Sequence, residues 1–563
     1  MDTSLASELH ATTSPQTSAQ PRPSALGPRT PLKSIAGIVE SLRLQFNSTH
    51  TKPMAWRKQT LCRLRELLVE HEPALLRALA TDLGKPNLEA WVSELGFTMT
   101  DIDHTLTNLD HWAAHRKVAT PTTLLPGSSA IVPEPVGVVC VIAPWNYPVQ
   151  LLLVPMIAAI AAGNAVVAKP SELTPATSAA LGDLLRALND PAVAFVQGGV
   201  AETTELLAHR FDHIIYTGNA RVGRIVMRAA AEHLTPVTLE LGGKSPAIVS
   251  AQANIEVAAR RIVWGKFVNA GQTCIAPDYV LAERPVHDAL VAAMGKAITQ
   301  FYGTDPKSSA DYARIVNEPH FHRLEKLLDS GTVAVGGQSD VDSRYIAPTI
   351  LTEVTLDSPV MSEEIFGPIL PVIAIDSLDD AIRIVNHGDT PLALYSFSET
   401  EAENDRLINE IQSGGACING TLFHIVNPYL PFGGKGESGM GAYHGQAGFD
   451  TFSHLRSVHR RNTKIDPALL YPPFTAKRPR WFGKPSCSAI LAICSASFAT
   501  SSAKTLLQSL GSQLGVTTWG HSLGSQLGVA GRDSIHCAGV TSSEFQTIQI
   551  AGIERASNTS FGA

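Results

Sequence analysis

Two side chains in this sequence have the chemistry of a nucleophile and a base. Cys274 stands in Gly271-Gln272-Thr273-Cys274-Ile275-Ala276-Pro277-Asp278, and Glu240 in Leu239-Glu240-Leu241-Gly242-Gly243-Lys244. A thiolate attacks electrophilic carbon near neutral pH without a tightly bound base, and a carboxylate can take a proton from water at a later step. Taken alone, one cysteine is better explained as a small buried hydrophobe than as a nucleophile. The elements that would position these two side chains have to decide between the readings.

Composition bounds the answer. The chain has 563 residues, 44% of them hydrophobic, enough for two or three domains with cores of their own. A net charge of −7 and a pI near 6.3 argue against a nucleic-acid footprint. Seven scattered cysteines and nineteen histidines show neither a disulfide framework nor metal-ligand spacing, so a reducing, cytoplasmic setting and no metal are expected. Residues 1–30 are rich in Ser, Thr, Ala and Pro and lack the apolar core of a secretory signal, which predicts a disordered tail. Residues 151–162 are apolar but too short to span a bilayer. Beyond about Lys464 the chain turns Ser/Gly-rich, with one octapeptide occurring at 509–516 and again at 522–529, and disorder is expected there too. Within it residues 487–499 are apolar but again below spanning length, so any membrane association would be peripheral.

Periodicity supplies the frame. Residues 31–115 read as helices, with apolar positions at Leu61, Leu64, Leu67 and Leu68 on one face. Residues 119–135, broken by Pro and Gly, read as a connector or an extended arm. Then short β-branched runs at 136–142, 165–169, 192–196, 213–217 and 237–241 alternate with helical stretches. Continuous apolar strands separated by helices imply an α/β fold with a parallel, doubly wound sheet, whose ligand crevice lies at the strand C-terminal ends. A second α/β region is expected from 247 to 422, with helices at 255–267 and 285–300.

Polar motifs fall at those strand ends: Trp145-Asn146, Lys169-Pro170-Ser171-Glu172, and Gly218-Asn219-Ala220-Arg221-Val222-Gly223. The last has GxxxxG rather than the GxGxxG dinucleotide fingerprint. It suits either a helix N-terminus near a pyrophosphate or close helix–strand packing. Glu363-Glu364-Ile365-Phe366-Gly367-Pro368 is a compact turn whose glutamates, taken alone, read as solvated. The glycine-dense loop at 430–441 lacks P-loop spacing.

Order and spacing of these motifs over residues 35–460 resemble the NAD(P)-dependent aldehyde dehydrogenase superfamily. The stretches Gly271–Tyr279 and Met440-Gly441-Ala442-Tyr443-His444-Gly445 look like its class 3 branch, which takes fatty and aromatic aldehydes and includes apocarotenal dehydrogenases of fungal type. The resemblance implies an aldehyde dehydrogenase fold: a Rossmann-like cofactor domain (34–115 and 136–241), a catalytic domain (242–425) and a bridging, oligomerising arm (116–135 and 426–464), between tails at 1–33 and 465–563. It implies Cys274 as nucleophile, Glu240 as general base and Asn146 as oxyanion donor. Lys169 and Glu172 would take the adenosine ribose, Gly218 and Gly223 the pyrophosphate, and Glu364 and Phe366 the nicotinamide ribose and ring. Trp145, Asn219, Leu241 and Gly242 complete the implied cofactor set. Glu172 favours NAD and Lys169 offsets that, so NAD or NADP is expected. The implied reaction oxidises an apolar aldehyde to the acid through a cysteine thioester in a homodimer. An inactive scaffold of the same fold and a CoA-acylating relative are the competing readings, and all three Cys274, Glu240 and Asn146 being present weighs against both.

Overall fold

The strand-forming runs assemble into two parallel sheets. The computed structural model describes residues 29–121, 124–466 and 471–472. Most of these form one unit, 29–120 with 127–461. In a second unit, 121–126 with 462 onward, the Leu124 N–H bonds the Pro121 carbonyl at 2.9 Å and the Tyr471 hydroxyl bonds Asp466 at 2.7 Å. The expected N-terminal tail up to residue 28 and the Ser/Gly-rich segment after 472 lie outside the described residues.

The first sheet runs in the order Val193–Phe195, Ala165–Lys169, Val138–Ile142, His213–Thr217, Val237–Glu240, with Gly439–Met440 antiparallel on the last edge. Chain order reverses on either side of Val138–Ile142, which makes the sheet doubly wound and opens a crevice at the strand C-termini. The strands Val138–Ile142, Ala165–Lys169 and His213–Thr217 are buried at every residue, as strands covered on both faces must be. The helix Gln150–Ala162 is likewise buried all round and stops at Gly163, whose φ of +94° admits glycine readily. The short antiparallel edge was not expected. It comes from the glycine-dense loop, where Gly439, at φ +151°, lets the chain approach the Leu239 carbonyl too closely for any Cβ.

The second sheet orders Thr332–Val335, Thr349–Thr352, Ile369–Ile375, Tyr279–Glu283, Pro246–Val249, Ala393–Phe397 and Gly415–Ile418, parallel except for its first pair. The helices Ile255–Phe267 and Arg284–Tyr302 pack against each other beside it. Of the connector and the arm expected for 119–135, the chain forms an arm. Gly127–Pro135 is a strand between Arg116–Val118 and Ser453–Arg461. Pro133 and Pro135 lie beyond Arg116–Val118, which pairs only with 129–131, so there the strand has one neighbour and the edge position that proline tolerates. Among the described residues no helix is long and apolar enough to cross a membrane.

Candidate active site

The helix Ile255–Phe267, capped where the Asn254 side chain accepts the Val257 N–H at 3.2 Å, delivers the chain to the base of the crevice. There Asn269, Ala270 and Gly271 take left-handed φ values of 53°, 52° and 75°. At Gly271 a Cβ would overlap the Gly367 carbonyl, so only glycine fits. Two non-glycine residues in this region cost of order 1 kcal/mol each and must be held from outside. Asn269 receives that hold: its N–H bonds Glu89 at 2.9 Å, and its Nδ2 reaches the carbonyls of Asn146 (2.9 Å) and Gln272 (3.1 Å). Gln272 adds Nε2 bonds to the Asn269 and Arg314 carbonyls at 2.9 and 3.0 Å, and its Oε1 accepts Val316 N–H at 3.0 Å.

Cys274 emerges half-buried from this loop as a free thiol. Burial raises its pKa, and the nearby Glu364 and Glu240 carboxylates raise it further. The backbone N–H groups of Cys274 and Ile275 oppose them. On either side the loop is tied down: Thr273 Oγ1 meets the Tyr147 hydroxyl at 2.7 Å, and the Tyr395 hydroxyl donates to the Ile275 carbonyl.

Asn146, 2% exposed, follows the Val138–Ile142 strand. Its Nδ2 donates to the Gln272 carbonyl at 3.0 Å, which leaves the second amide hydrogen uncommitted. Its own carbonyl accepts Lys85 Nζ at 3.0 Å. Lys85 is buried and paired with equally buried Glu94 at 2.6 Å, and lies 4.0 Å over the Tyr147 ring. The other Glu94 oxygen accepts the N–H groups of Val149 and Gln150 at 3.0 Å, the open end of the next helix. Sequence reading missed Lys85, Glu94, Asn269 and Gln272. The signal available for Glu94 was a charge on the apolar stripe of its helical pattern.

Glu240 ends its strand between Thr217 and Gly439, is 2% exposed, and has no hydrogen bond to either carboxylate oxygen among the described residues. Burial alone raises its pKa well above the carboxylate range. It is close enough to raise the pKa of the Cys274 thiol and of the buried Tyr443 phenol.

The turn bearing Glu364 and Phe366 also lies near Cys274. These glutamates are not the solvated pair that local sequence suggests. Glu363 is exposed, while Glu364 is packed so closely on Gly242 that a Cβ there would overlap its carboxylate. Burial, then Asp278, pushes the Glu364 pKa up to about 8, against the Gly243 N–H, Lys244 and Lys266. Asp278 fixes the turn: it accepts the Ile365 N–H at 3.0 Å, pairs with Lys244 at 2.6 Å and lies 3.8 Å from buried Lys266. Phe366, at φ +50°, sets its ring 5.3 Å edge-on to Trp145.

Farther along the same strand ends, buried Lys169 bonds the Pro170 carbonyl at 2.7 Å and sits 3.7 Å from the half-buried Glu172. Asn219 caps the helix Ala220–Ala231 by accepting the Val222 N–H at 3.0 Å. The glycine pair there also packs closely: a Cβ on Gly218 would overlap the Tyr216 hydroxyl, and one on Gly223 would press on a Leu241 methyl at 3.0 Å. Among the described residues no cluster of three metal-ligating side chains occurs.

Cys274 also forms part of the wall of a cavity of about 460 Å³, lined mostly by apolar groups such as Phe97, Leu151 and Ile425. Trp264 and Phe423 belong to the same lining and stack on each other, with ring centroids 5.5 Å apart.

Comparison with known proteins agrees with this geometry. The family model described as "Aldehyde dehydrogenase family" matches residues 23–458. The chain is 48% identical over 435 residues to the 4,4'-diaponeurosporen-aldehyde dehydrogenase of Staphylococcus aureus, covering 77% of this chain and 95% of that protein. It is 47% identical over 452 residues to the mouse "Aldehyde dehydrogenase, dimeric NADP-preferring", covering 80% and 100%. A solved substrate-bound AldH from Staphylococcus aureus superposes with a TM-score of 0.77 at 46% identity, over 79% of this chain and 97% of that one. An NAD+ complex of a Bacillus cereus aldehyde dehydrogenase gives 0.70 at 27% identity, over 77% and 89%.

Proposed function

The chain belongs to the aldehyde dehydrogenase family, and from that premise we propose that it oxidises apolar aldehydes to carboxylic acids with NAD or NADP, through a thioester on Cys274. The observation that carries the reading is a half-buried thiol beside a buried carboxylate with both oxygens unbonded, at the wall of an apolar cavity.

Cys274 releases its proton to solvent through the cavity that it lines and, as thiolate, adds to the aldehyde carbon. The free amide hydrogen of Asn146 and the Cys274 N–H receive the negative oxygen; one such donor lowers the barrier by about 3–4 kcal/mol. Once the tetrahedral adduct has given up its hydride and become the thioester, Glu240 takes a proton from water as that water attacks the thioester carbon, and the acid departs as the thiol is restored. Its empty hydrogen-bonding capacity suits a group whose partner is a transient water.

A dinucleotide fits the residues present. The Asn219-capped helix end accepts a pyrophosphate, the Lys169–Glu172 pair meets ribose hydroxyls, and Glu364, Phe366 and Trp145 frame the ring beside Leu241 and Gly242. When bound, it supplies the hydride acceptor. Glu172 disfavours a 2′-phosphate and neighbouring Lys169 offsets it, so both cofactors are used. On this reading 34–115 with 136–241 bind the cofactor and 242–425 carry the nucleophile. Residues 116–135 and 426–464 join two copies: Ser453–Arg461 is a nine-residue, largely exposed strand at the edge of its sheet, a template for pairing. A cytoplasmic location, peripheral to membranes at most, belongs to the same proposal.

The test is Cys274→Ala with a panel of aldehydes and both cofactors. Aldehyde-dependent NAD(P)H formation should vanish in the variant, and the wild-type product should be free acid without added CoA. Unchanged turnover in the variant would overturn the reading.

A further inference from the structure

One ionisable side chain in the cavity has no role in this chemistry. The helix Phe97–Trp112 buries Thr98, Asp101, Ile102, Thr105, Leu109 and Trp112 along one stripe, and Asp101 is the carboxylate in that stripe. It is 7% exposed, makes no hydrogen bond or ion pair among the described residues, and lines the same cavity as Cys274. A second polar atom without a partner belongs to the same lining. His444 is buried, its Nε2 has no partner among the described residues, and its ring packs edge-on to Phe97 at 5.7 Å, Phe97 lying one helical turn from Asp101. His444 lines the cavity as well.

A carboxyl without a protein partner in an apolar pocket loses its hydration to an entering aliphatic chain, which cannot replace those hydrogen bonds. A ligand hydroxyl can. We propose that Asp101, with His444 beside it, forms a polar subsite that recognises a hydroxyl carried on the chain of the aldehyde substrate, away from the carbonyl that meets Cys274. Burial pushes the Asp101 carboxyl up to about 7 and the His444 ring down to about 4, so near neutrality neither carries a full, fixed charge. Such groups suit a hydroxyl, which both donates and accepts, better than an ammonium that would have to shed its hydration to enter. This inference rests on the aldehyde oxidation proposed above and refines its substrate class.

The experiment measures kcat/KM for three matched series of stepped chain length, n-alkanals, ω-hydroxyalkanals and ω-aminoalkanals, with wild type, Asp101→Asn and Asp101→Leu. In wild type one ω-hydroxyalkanal should exceed the alkanal of equal length by roughly 10–100-fold, the scale of one hydrogen bond to a charged or partly charged group. Asp101→Leu should reverse that order, and Asp101→Asn, which keeps shape and hydrogen bonding, should retain part of it and guard against a folding defect in the leucine variant. Binding of the matched diols and alkanols to the wild-type holoenzyme by calorimetry should show the same preference without turnover. Wild type that oxidises alkanals with no hydroxyl preference at any length, or that prefers the amines, overturns the subsite alone. Absence of activity on every aldehyde removes the functional reading and this inference with it.

Discussion

The two halves of the proposed catalytic centre are built in opposite ways. Around Asn146 nearly every polar group is committed: to Gln272, to Asn269, and to a buried Lys85–Glu94 pair that also closes a helix end. At Glu240 the backbone is held in the sheet but the side chain is not: both carboxylate oxygens are buried with no hydrogen-bond partner among the described residues. The difference follows from what each half must do. Charge that develops on an oxygen is stabilised best by donors already in place, because they need no reorganisation during the reaction. A base that deprotonates a transient water needs open lone pairs at that moment, and a group already satisfied by the protein would have to give up a bond first.

The largest expected effect tests the uncommitted half. Glu240→Gln should lower kcat by about 10²–10⁴-fold while a rapid first turnover of NAD(P)H survives, since attack by Cys274 does not use this carboxylate. Rapid-quench detection of an accumulated acyl-enzyme checks it. Loss of the burst as well would place Glu240 before attack and dissolve the contrast. The pH profile sharpens the point. A base works deprotonated, and burial raises Glu240 above the ordinary carboxylate range, so wild-type turnover should climb with pH beyond that range. Glu240→Gln should lose that limb.

Next comes the committed half. Lys85→Met strands Glu94 as an uncompensated buried charge, and such losses run about 3–5 kcal/mol. Denaturant midpoints should fall accordingly, and kcat/KM should fall with them as the Asn146 carbonyl loses its lysine. An unshifted midpoint would mean the frame around Asn146 is not set by this pair.

The contrast also explains what could be read from the sequence. The doubly wound sheet was legible because strands such as Val138–Ile142 and His213–Thr217 are unbroken apolar runs separated by helices of ordinary length. Asn146, Lys169 and Asn219 were legible as strand-end residues, and the glycine-bounded turn at 218–223 serves packing as well as helix capping. The roles given to Cys274, Glu240 and Glu364 came from motif resemblance, because local sequence describes a lone cysteine and a surface glutamate pair equally well. Lys85, Glu94, Gln272 and Asp278 escaped because their meaning lies in partners distant in the chain: Lys85 meets Asn146, and Asp278 meets Ile365. The edge strand Gly439–Met440 escaped because two residues in a glycine-rich loop carry no strand period.

The smallest expected effect lies where the two halves adjoin. The Tyr147 hydroxyl meets Thr273 Oγ1 at 2.7 Å and ties the Asn146 segment to the residue before the nucleophile. Both residues line the cavity, so water can replace a lost partner, and Tyr147→Phe keeps the ring beneath Lys85. Tyr147→Phe and Thr273→Val should therefore each cost only about 1 kcal/mol. In a double-mutant cycle the pair should cost less than the two singles together, with the missing part equal to their coupling. The same coupling should appear in kcat/KM, because the bond holds the nucleophile against the oxyanion donor. Additive singles in both measurements would show that Gln272 and Asn269 join Asn146 to the nucleophile loop without help from Thr273, and that the committed half ends one residue earlier than the hydrogen bonds indicate.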